Sequence, residues 1–146
     1  MKAVPSILLV DDNDDDVLLI REAFATQTQV QIIDAVPDGE AALAYLQYRK
    51  NKRHEALPDL LLLDINMPKM NGFEVLQAIK GDPQLQHIPV IILTTSDRNE
   101  DIIRAYSNGA CSYVHKPITL QDMIAIATHF ASYWFNVVSI PSLSRG

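Results

Sequence analysis

Several residue types are scarce in this sequence, and each shortage excludes a class of protein. Cys111 is the only cysteine, so a disulfide within the chain is impossible, which fits a reducing cytoplasm. The 12 Lys and Arg are outnumbered by 18 Asp and Glu, and the net charge of −6 disfavours nonspecific nucleic-acid binding. The first apolar run, residues 7–10, is far too short for a signal peptide or a membrane span. We therefore expect a cytoplasmic protein that binds neither DNA nor membranes.

The residues that are abundant suffice for one packed core. Hydrophobic residues make up 48% of the 146 residues, and charged residues make up 21%, a balance that argues against disorder. The eight prolines and five glycines are scattered, so no long linker is visible. The composition therefore predicts a single domain.

Short apolar runs alternate with segments of helical periodicity along the chain. The predicted strands are residues 6–10, 30–36, 59–64, 88–95 and 111–116. The predicted helices are residues 17–26 with an acidic turn at 14–16 before them, 38–50, 72–81, 99–109 and 119–135, and residues 51–58 form a polar loop. This alternation predicts one parallel sheet covered on both faces, with ligands bound outside the carboxyl ends of its strands.

Polar side chains stand at these carboxyl ends. They are Asp11 and Asp12 after the first strand, Asp64 at the end of the third, Thr94 in the fourth and Lys116 in the fifth. Each has an ordinary structural explanation when taken alone: a helix-dipole partner, a turn residue, a strand former or a solvated lysine. Their common position at one edge of the sheet favours a functional site.

Three carboxylates crowded at one edge need a counter-charge. Two charges about 4 Å apart repel by on the order of 4 kcal/mol at an effective dielectric near 20, so either their pKa values rise or a cation neutralises them. Oxygen ligands favour a hard cation such as Mg²⁺. The sequence therefore predicts a Mg²⁺ site at Asp11, Asp12 and Asp64. The backbone carbonyl of Asn66 is placed to add another ligand.

Together these motifs resemble the receiver domain of two-component response regulators. The matching segments are ILLVDDN at 7–13, LLLLDINMPKMNG at 60–72, PVIILTTS at 89–96 and YVHKP at 113–117. The resemblance covers residues 5–134 and implies an α/β fold: a doubly wound, five-stranded parallel sheet of the flavodoxin-like type, in the order 2-1-3-4-5. We expect a receiver domain over 1–135 and a short tail over 136–146 without an output domain.

The resemblance also assigns roles to the residues at the strand ends. It implies that Asp64 is the phosphoacceptor and that Asp11, Asp12, Asp64 and the Asn66 carbonyl bind Mg²⁺. Two residues shape the loop that follows Asp64: Pro68 and Gly72.

The remaining roles implied by the resemblance concern the switch. Thr94 would be the hydroxyl that reaches the phosphoryl group, and Lys116 the ammonium that contacts it. Tyr113 would be the aromatic residue that changes position with Thr94. The Lys116–Pro117 peptide bond would be cis, as it commonly is in the family.

The expected function is that of a switch and not of an enzyme. A sensor histidine kinase would supply the phosphoryl group, and phosphorylation would change a protein-interaction surface. The loop at 49–57, the LTTS at 93–96 and the tail resemble the small response regulators paired with phytochromes, which can form homodimers. A phosphorelay intermediate and a scaffold remain as alternatives within the same family.

The last predicted helix carries two apolar stripes. Six residues should pack on the sheet: Leu120, Met123, Ile124, Ala127, Ala131 and Trp134. A neighbouring stripe either widens the core or forms a patch for a partner or second copy: Ile126, Phe130 and Tyr133. Thr119 and Asp122 have the spacing of a capping arrangement at the start of this helix.

Two other classes of protein share parts of this pattern. A phosphatase of the haloacid dehalogenase type also has an Asp nucleophile after a strand, but it needs a second Asp where this chain has Asn66. A flavin-binding protein of the same fold needs a phosphate-binding loop after its first strand. Here that loop is the acidic segment 11–16, which would repel phosphate in the absence of a metal.

Overall fold

A five-stranded parallel sheet with helices on both faces forms the protein, in the order β2-β1-β3-β4-β5. The computed structural model describes residues 3–50, 52 and 56–141. The strands are β1 (Ser6–Val10), β2 (Gln31–Val36), β3 (Leu60–Leu63), β4 (Val90–Thr94) and β5 (Ser112–His115). The helices are α1 (Asp14–Phe24), α2 (Gly39–Lys50), α3 (Gly72–Lys80), α4 (Asn99–Ser107) and α5 (Leu120–Ala131). The predicted fold class and strand order are confirmed.

Two parts of the sequence-based prediction lie partly outside the described residues. Positions 51 and 53–55 of the predicted polar loop are among them, as are residues 142–146 of the predicted tail. Within the described residues, none of the helices is both long enough and apolar enough to cross a membrane.

The position of β3 in the middle of the sheet explains why the strand is apolar throughout. All four residues of Leu60–Leu63 are buried, at 0–2% exposure. Leu61 and Leu63 belong to the core layer formed with α2 and α3, whereas Leu60 and Leu62 belong to the layer formed with α1 and α5. Because successive strand side chains point to opposite faces, a strand covered on both sides must be apolar at every position.

The strand registers bring the carboxyl ends of the central strands together. Val10 of β1 pairs with Leu63 of β3, and Leu63 pairs with Ile92 of β4. Thr94 of β4 pairs with His115 of β5. The chain order reverses between β1 and β3, which is the position where open α/β sheets bind their ligands.

Side-chain caps fix where three of the helices begin. Asn13 caps α1 by accepting a hydrogen bond from the Asp16 amide. Asn71 opens α3 with a reciprocal capping box. Thr119 accepts from the Asp122 amide at 3.1 Å, so the predicted cap of α5 is confirmed.

The end of the last helix differs from the prediction. The α-helix ends at Ala131 and continues as a π-helix, Ser132–Val137, whereas the sequence predicted one helix over 119–135. The π-helical segment is only six residues long, which is too short to give a periodicity that the sequence could distinguish from that of an α-helix.

The apolar stripes of α5 are rearranged relative to the prediction. Leu120 is 38% exposed, so its predicted packing on the sheet is wrong. Phe130 is buried in the core, where its ring meets Phe24 edge-on at 5.4 Å between centroids, and Trp134 packs beside it. Tyr133 is 49% exposed, so the second stripe is divided between core and surface.

The Lys116–Pro117 bond is trans, because the described part of the chain contains no cis peptide bond. The cis form implied by the resemblance is therefore wrong for this structure. The trans form is intrinsically favoured before proline by about 0.5–1 kcal/mol.

Lys69, in the loop between β3 and α3, has an unfavourable backbone conformation. Its φ is 67°, in the left-handed region that asparagine tolerates better than lysine does. Its ammonium lies 3.8 Å from Asp38 with the side chain 60% exposed, so this ion pair stabilises little. We expect Lys69→Asn to raise the free energy of unfolding by about 0.5–1 kcal/mol in urea titrations. Lys69→Ala loses the same ion pair and should show no gain; equal gains for both variants would contradict this explanation.

Candidate functional site

Lys116 occupies the centre of the edge where the strands end. Its Nζ lies 2.6 Å from Asp11 Oδ2 and 3.0 Å from Asp64 Oδ2. The Lys116 side chain is 3% exposed, and those of Asp11 and Asp64 are 1% and 9% exposed. The Lys116 amide donates to the Thr94 carbonyl at 2.7 Å, which fixes the backbone beside β4. Three of the predicted site residues are therefore in direct ionic contact.

Backbone amides orient both carboxylates toward the ammonium. Asp11 Oδ1 accepts from the Asn13 amide at 3.0 Å, and Asp64 Oδ1 accepts from the Ile65 amide at 2.8 Å. The other oxygen of each carboxylate, Oδ2, faces Lys116. The site thus holds two preoriented oxygens against one cation.

Burial and charge shift two pKa values in this site. Burial raises the pKa of Asp11, and the interaction with Lys116 offsets only part of that effect. For Lys116, burial alone would lower the pKa, but its hydrogen bonds and charge interactions with the surrounding carboxylates outweigh burial and raise it. Lys116 therefore remains an ammonium at neutral pH.

The carboxylates also fit a divalent cation. Asp11, Asp12 and Asp64 each offer an oxygen, and these oxygens lie within 4.8 Å of one another. Asp11 Oδ2 is buried and, within the described residues, accepts no hydrogen bond of good geometry, although the Lys116 charge is close. A buried carboxylate oxygen with spare capacity, next to an exposed Asp12, is a suitable ligand for a hard cation. Asn66 is exposed two residues beyond Asp64, and the role of its carbonyl stays a prediction.

Thr94 and Tyr113 lie beside this cluster and are linked through Ser96. Thr94 is fully buried, and its hydroxyl accepts weakly from the Ser96 amide at 3.4 Å. The Tyr113 hydroxyl donates to the Ser96 carbonyl at 2.9 Å, and its half-buried ring packs against the core. His115, next to Lys116, is exposed and its ring contacts the Thr95 carbonyl.

Comparison with known proteins identifies the family. Residues 7–128 match the family model of the response regulator receiver domain. The chain belongs to the response regulator receiver family. Its receiver domain is 38% identical to the response regulator Rcp1 of Synechocystis sp. over 136 residues, which cover 93% of this chain and 92% of Rcp1.

Solved structures of receivers agree with this fold. The phosphorylated cyanobacterial phytochrome response regulator RcpA superimposes with a TM-score of 0.86 at 38% identity, covering 96% of this chain and 100% of RcpA. The Mn²⁺-bound form of Rcp1 superimposes with a TM-score of 0.81 at 37% identity, covering 94% of this chain and 99% of Rcp1. The protein is thus a receiver domain, a signalling switch whose acidic cluster suits a divalent metal.

Sequence reasoning missed one residue of this receiver's site. Asp16, in the first turn of α1, accepts a hydrogen bond from Lys116 Nζ at 2.9 Å. From the sequence, residues 14–16 are interpreted only as an acidic turn before the first helix, and none of them is assigned to the site. The available signal was position, because the helix that follows β1 begins at the same edge and carries three successive acids in its first turn.

Proposed function

We propose that this receiver accepts a phosphoryl group on Asp64 from a sensor histidine kinase, in a reaction that requires Mg²⁺. The observation that carries the proposal is the placement of Asp64 Oδ2, which is oriented by a backbone hydrogen bond to its neighbouring oxygen and lies 3.0 Å from the Lys116 ammonium. A carboxylate held in this way can act as a nucleophile and form an acyl phosphate.

The transfer is an in-line displacement at phosphorus. An oxygen of Asp64 forms the new O–P bond while the N–P bond of the kinase phosphohistidine breaks. The electron pair stays on the leaving imidazole nitrogen, which then takes up a proton. Hydrolysis by water later returns the carboxylate and releases inorganic phosphate, so the receiver is a switch that takes part in its own dephosphorylation.

The main barrier is the repulsion between an anionic nucleophile and an anionic phosphoryl group. The Lys116 ammonium, held at the edge by its carboxylate partners, would stabilise the negative charge that develops on the phosphoryl oxygens. Mg²⁺, when held by Asp11, Asp12, Asp64 and the Asn66 carbonyl, would neutralise the remaining charge and align the phosphoryl oxygens.

Thr94 and Tyr113 would convert the phosphorylation into a change of surface. The phosphoryl group adds about −1.5 to −2 charges, and the buried Thr94 hydroxyl is the neighbouring group able to donate to it. Movement of Thr94 would disturb Ser96, whose carbonyl accepts the Tyr113 hydrogen bond. Release of that bond would let the Tyr113 ring move and change the surface near α4 and β5.

The kinase partner is inferred to be of the phytochrome class. The support is the similarity to RcpA, described as a phytochrome response regulator, which extends over 96% of this chain. A homodimer remains a prediction of the same resemblance, and a cytoplasmic location remains a prediction of the single cysteine and the short first apolar run. The absence of DNA binding remains a prediction of the acidic composition.

Intact-mass spectrometry tests the phosphoacceptor. The full chain is incubated with a small acyl-phosphate donor, with and without Mg²⁺, and in parallel with a phosphorylated histidine kinase. Wild type should gain the mass of one phosphoryl group only with Mg²⁺, Asp64→Asn should gain none, and Asp97→Asn, which removes an exposed carboxylate beyond β4, should behave as wild type. Failure of wild type to gain mass from either donor would contradict the proposal.

A further inference from the structure

Lys116 has a third carboxylate partner that does not stand at a strand end. Its Nζ donates to Asp16 Oδ2 at 2.9 Å, across a separation of 100 residues in sequence. Asp16 lies in the first turn of α1 and its side chain is 31% exposed, whereas Asp11 and Asp64 are nearly buried. The proposed phosphoryl transfer does not by itself require this contact.

The oxygens that face Lys116 are also those that a cation would need. Asp11 and Asp64 each have Oδ1 bonded to a backbone amide, which leaves Oδ2 as the more available ligand atom. Both Oδ2 atoms lie within 3.0 Å of the Lys116 ammonium. An ion bound at about 2.0–2.1 Å from such an oxygen, the usual distance for Mg²⁺, would crowd the ammonium. Lys116 and the ion therefore compete for the same atoms.

Asp16 is not part of this competition. The three carboxylates close enough to hold one ion are Asp11, Asp12 and Asp64. Within the described residues, the ion-pair partners of Lys116 Nζ are Asp11, Asp16 and Asp64. Asp16 is thus the partner that Lys116 can keep when Asp11 and Asp64 bind an ion. Without Asp16, a buried ammonium would lose its counter-charges, which is strongly unfavourable.

We propose that Asp16 is a positioning residue that holds the Lys116 ammonium at the edge of the site when Asp11 and Asp64 bind a divalent cation. The inference rests on the proposed function, because it takes the three-carboxylate group as the cation site. It predicts that Asp16 strengthens cation binding through Lys116, and not merely through its own charge.

Isothermal titration calorimetry of the full chain with Mg²⁺ tests this role without any phosphodonor. Asp16→Asn should weaken Mg²⁺ binding about five- to tenfold. Asp15→Asn is the matched control, because it removes the same charge from the same helical turn at an exposed side chain without a contact to Lys116. It should weaken binding by less than about twofold, since an exposed charge acts at a distance through screening water. Asp16→Glu keeps a carboxylate within reach and should bind nearly as tightly as wild type.

A second background separates the lysine-dependent effect from general charge. In Lys116→Met, Asp16→Asn should weaken Mg²⁺ binding no more than Asp15→Asn does, because the ammonium to be positioned is absent. If Lys116→Met does not fold, the comparison of Asp16→Asn, Asp15→Asn and Asp16→Glu still decides the question.

The outcomes separate this inference from the proposed function. Equal weakening by Asp16→Asn and Asp15→Asn would show a charge effect alone and overturn the inference, as would tighter binding by Asp16→Asn or no Mg²⁺ binding by wild type. The expected pattern of affinities together with no phosphorylation of Asp64 would instead overturn only the proposed function.

Discussion

Gly72→Ala is expected to lower the free energy of unfolding by about 1–3 kcal/mol and to slow phosphorylation of Asp64. A Cβ at Gly72 would lie 2.2 Å from the Asp64 carbonyl oxygen and 2.9 Å from the Ile65 Cα. Both neighbours are backbone atoms, so the strain cannot be relieved by a side-chain rotation. The Gly72 amide also donates to the Ile65 carbonyl at 2.8 Å, which ties the start of α3 to the residue after Asp64. The backbone that presents Asp64, the proposed phosphoacceptor, must therefore shift.

Urea unfolding and the rate of mass gain from an acyl-phosphate donor measure the two effects of Gly72→Ala. Gly81→Ala, at the other end of α3, is the matched control. Its Cβ would lie 3.2 Å from its nearest neighbour, the Gln77 carbonyl oxygen, at an ordinary helical φ of −85°. It should change neither the stability nor the rate appreciably. If Gly72→Ala kept the wild-type free energy of unfolding and phosphorylation rate, the loop would accommodate the added Cβ without moving Asp64, which would contradict this prediction.

Lys116→Met is expected to lower the free energy of unfolding at neutral pH, without divalent cations, by about 3–5 kcal/mol. The substitution keeps most of the apolar stem of the side chain but removes the ammonium between Asp11 and Asp64. Two buried carboxylates would then face each other without a counter-charge. Added Mg²⁺ should restore part of the lost stability, because it binds the folded site and neutralises the same oxygens.

The pH dependence gives a second signature of Lys116. Its pKa is raised in the folded state, so its stabilising effect is complete below the unfolded pKa of about 10.4 and is lost as the pH rises through the higher folded value. Lys116→Met should lack this alkaline loss. The loss of stability in this variant should shrink in acid, because protonation of Asp11, whose pKa is raised by burial, removes the repulsion between the two carboxylates.

Lys50→Met provides the comparison for Lys116→Met. Lys50 pairs with Asp82 at 2.8 Å, and both side chains are partly exposed, at 15% and 17%, so solvent can replace the lost partner. Its substitution should cost clearly less than that of Lys116. If Lys50→Met and Lys116→Met lost the same free energy of unfolding from neutral to alkaline pH, the larger contribution expected from the buried Lys116 ammonium would be contradicted.

The central strands and their terminal residues could be predicted because their signals are local. A run such as Leu60–Leu63 must be buried on both faces, and the chain order of strands and helices leaves few topologies. The meeting of Asp11, Asp64 and Lys116 then follows from the parallel arrangement of β1, β3 and β5. The distances of 2.6 and 3.0 Å from the Lys116 ammonium to Asp11 and Asp64 agree with this arrangement.

The features that were missed depend on rotations that sequence spacing does not encode. The orientation of α1 about its own axis decides that Asp16, and not Asp14 or Asp15, reaches Lys116. Leu120 fits the apolar period of α5 but is the first residue of that helix and is exposed. The resemblance named Gly72 as a loop residue, but only the distance to Asp64 shows how little space it has.

The strand order also determines when during synthesis the site can exist. Asp64 and Lys116 are separated by 52 residues, and Lys116 follows β5, the last strand to join the sheet edge. A nascent chain still lacking that strand has its acids but no ammonium between them, and its exposed β4 edge leaves the core open. Under the proposed function, acyl phosphate formation on Asp64 would therefore have to wait until the chain through Lys116 has left the ribosome and β5 has joined the sheet.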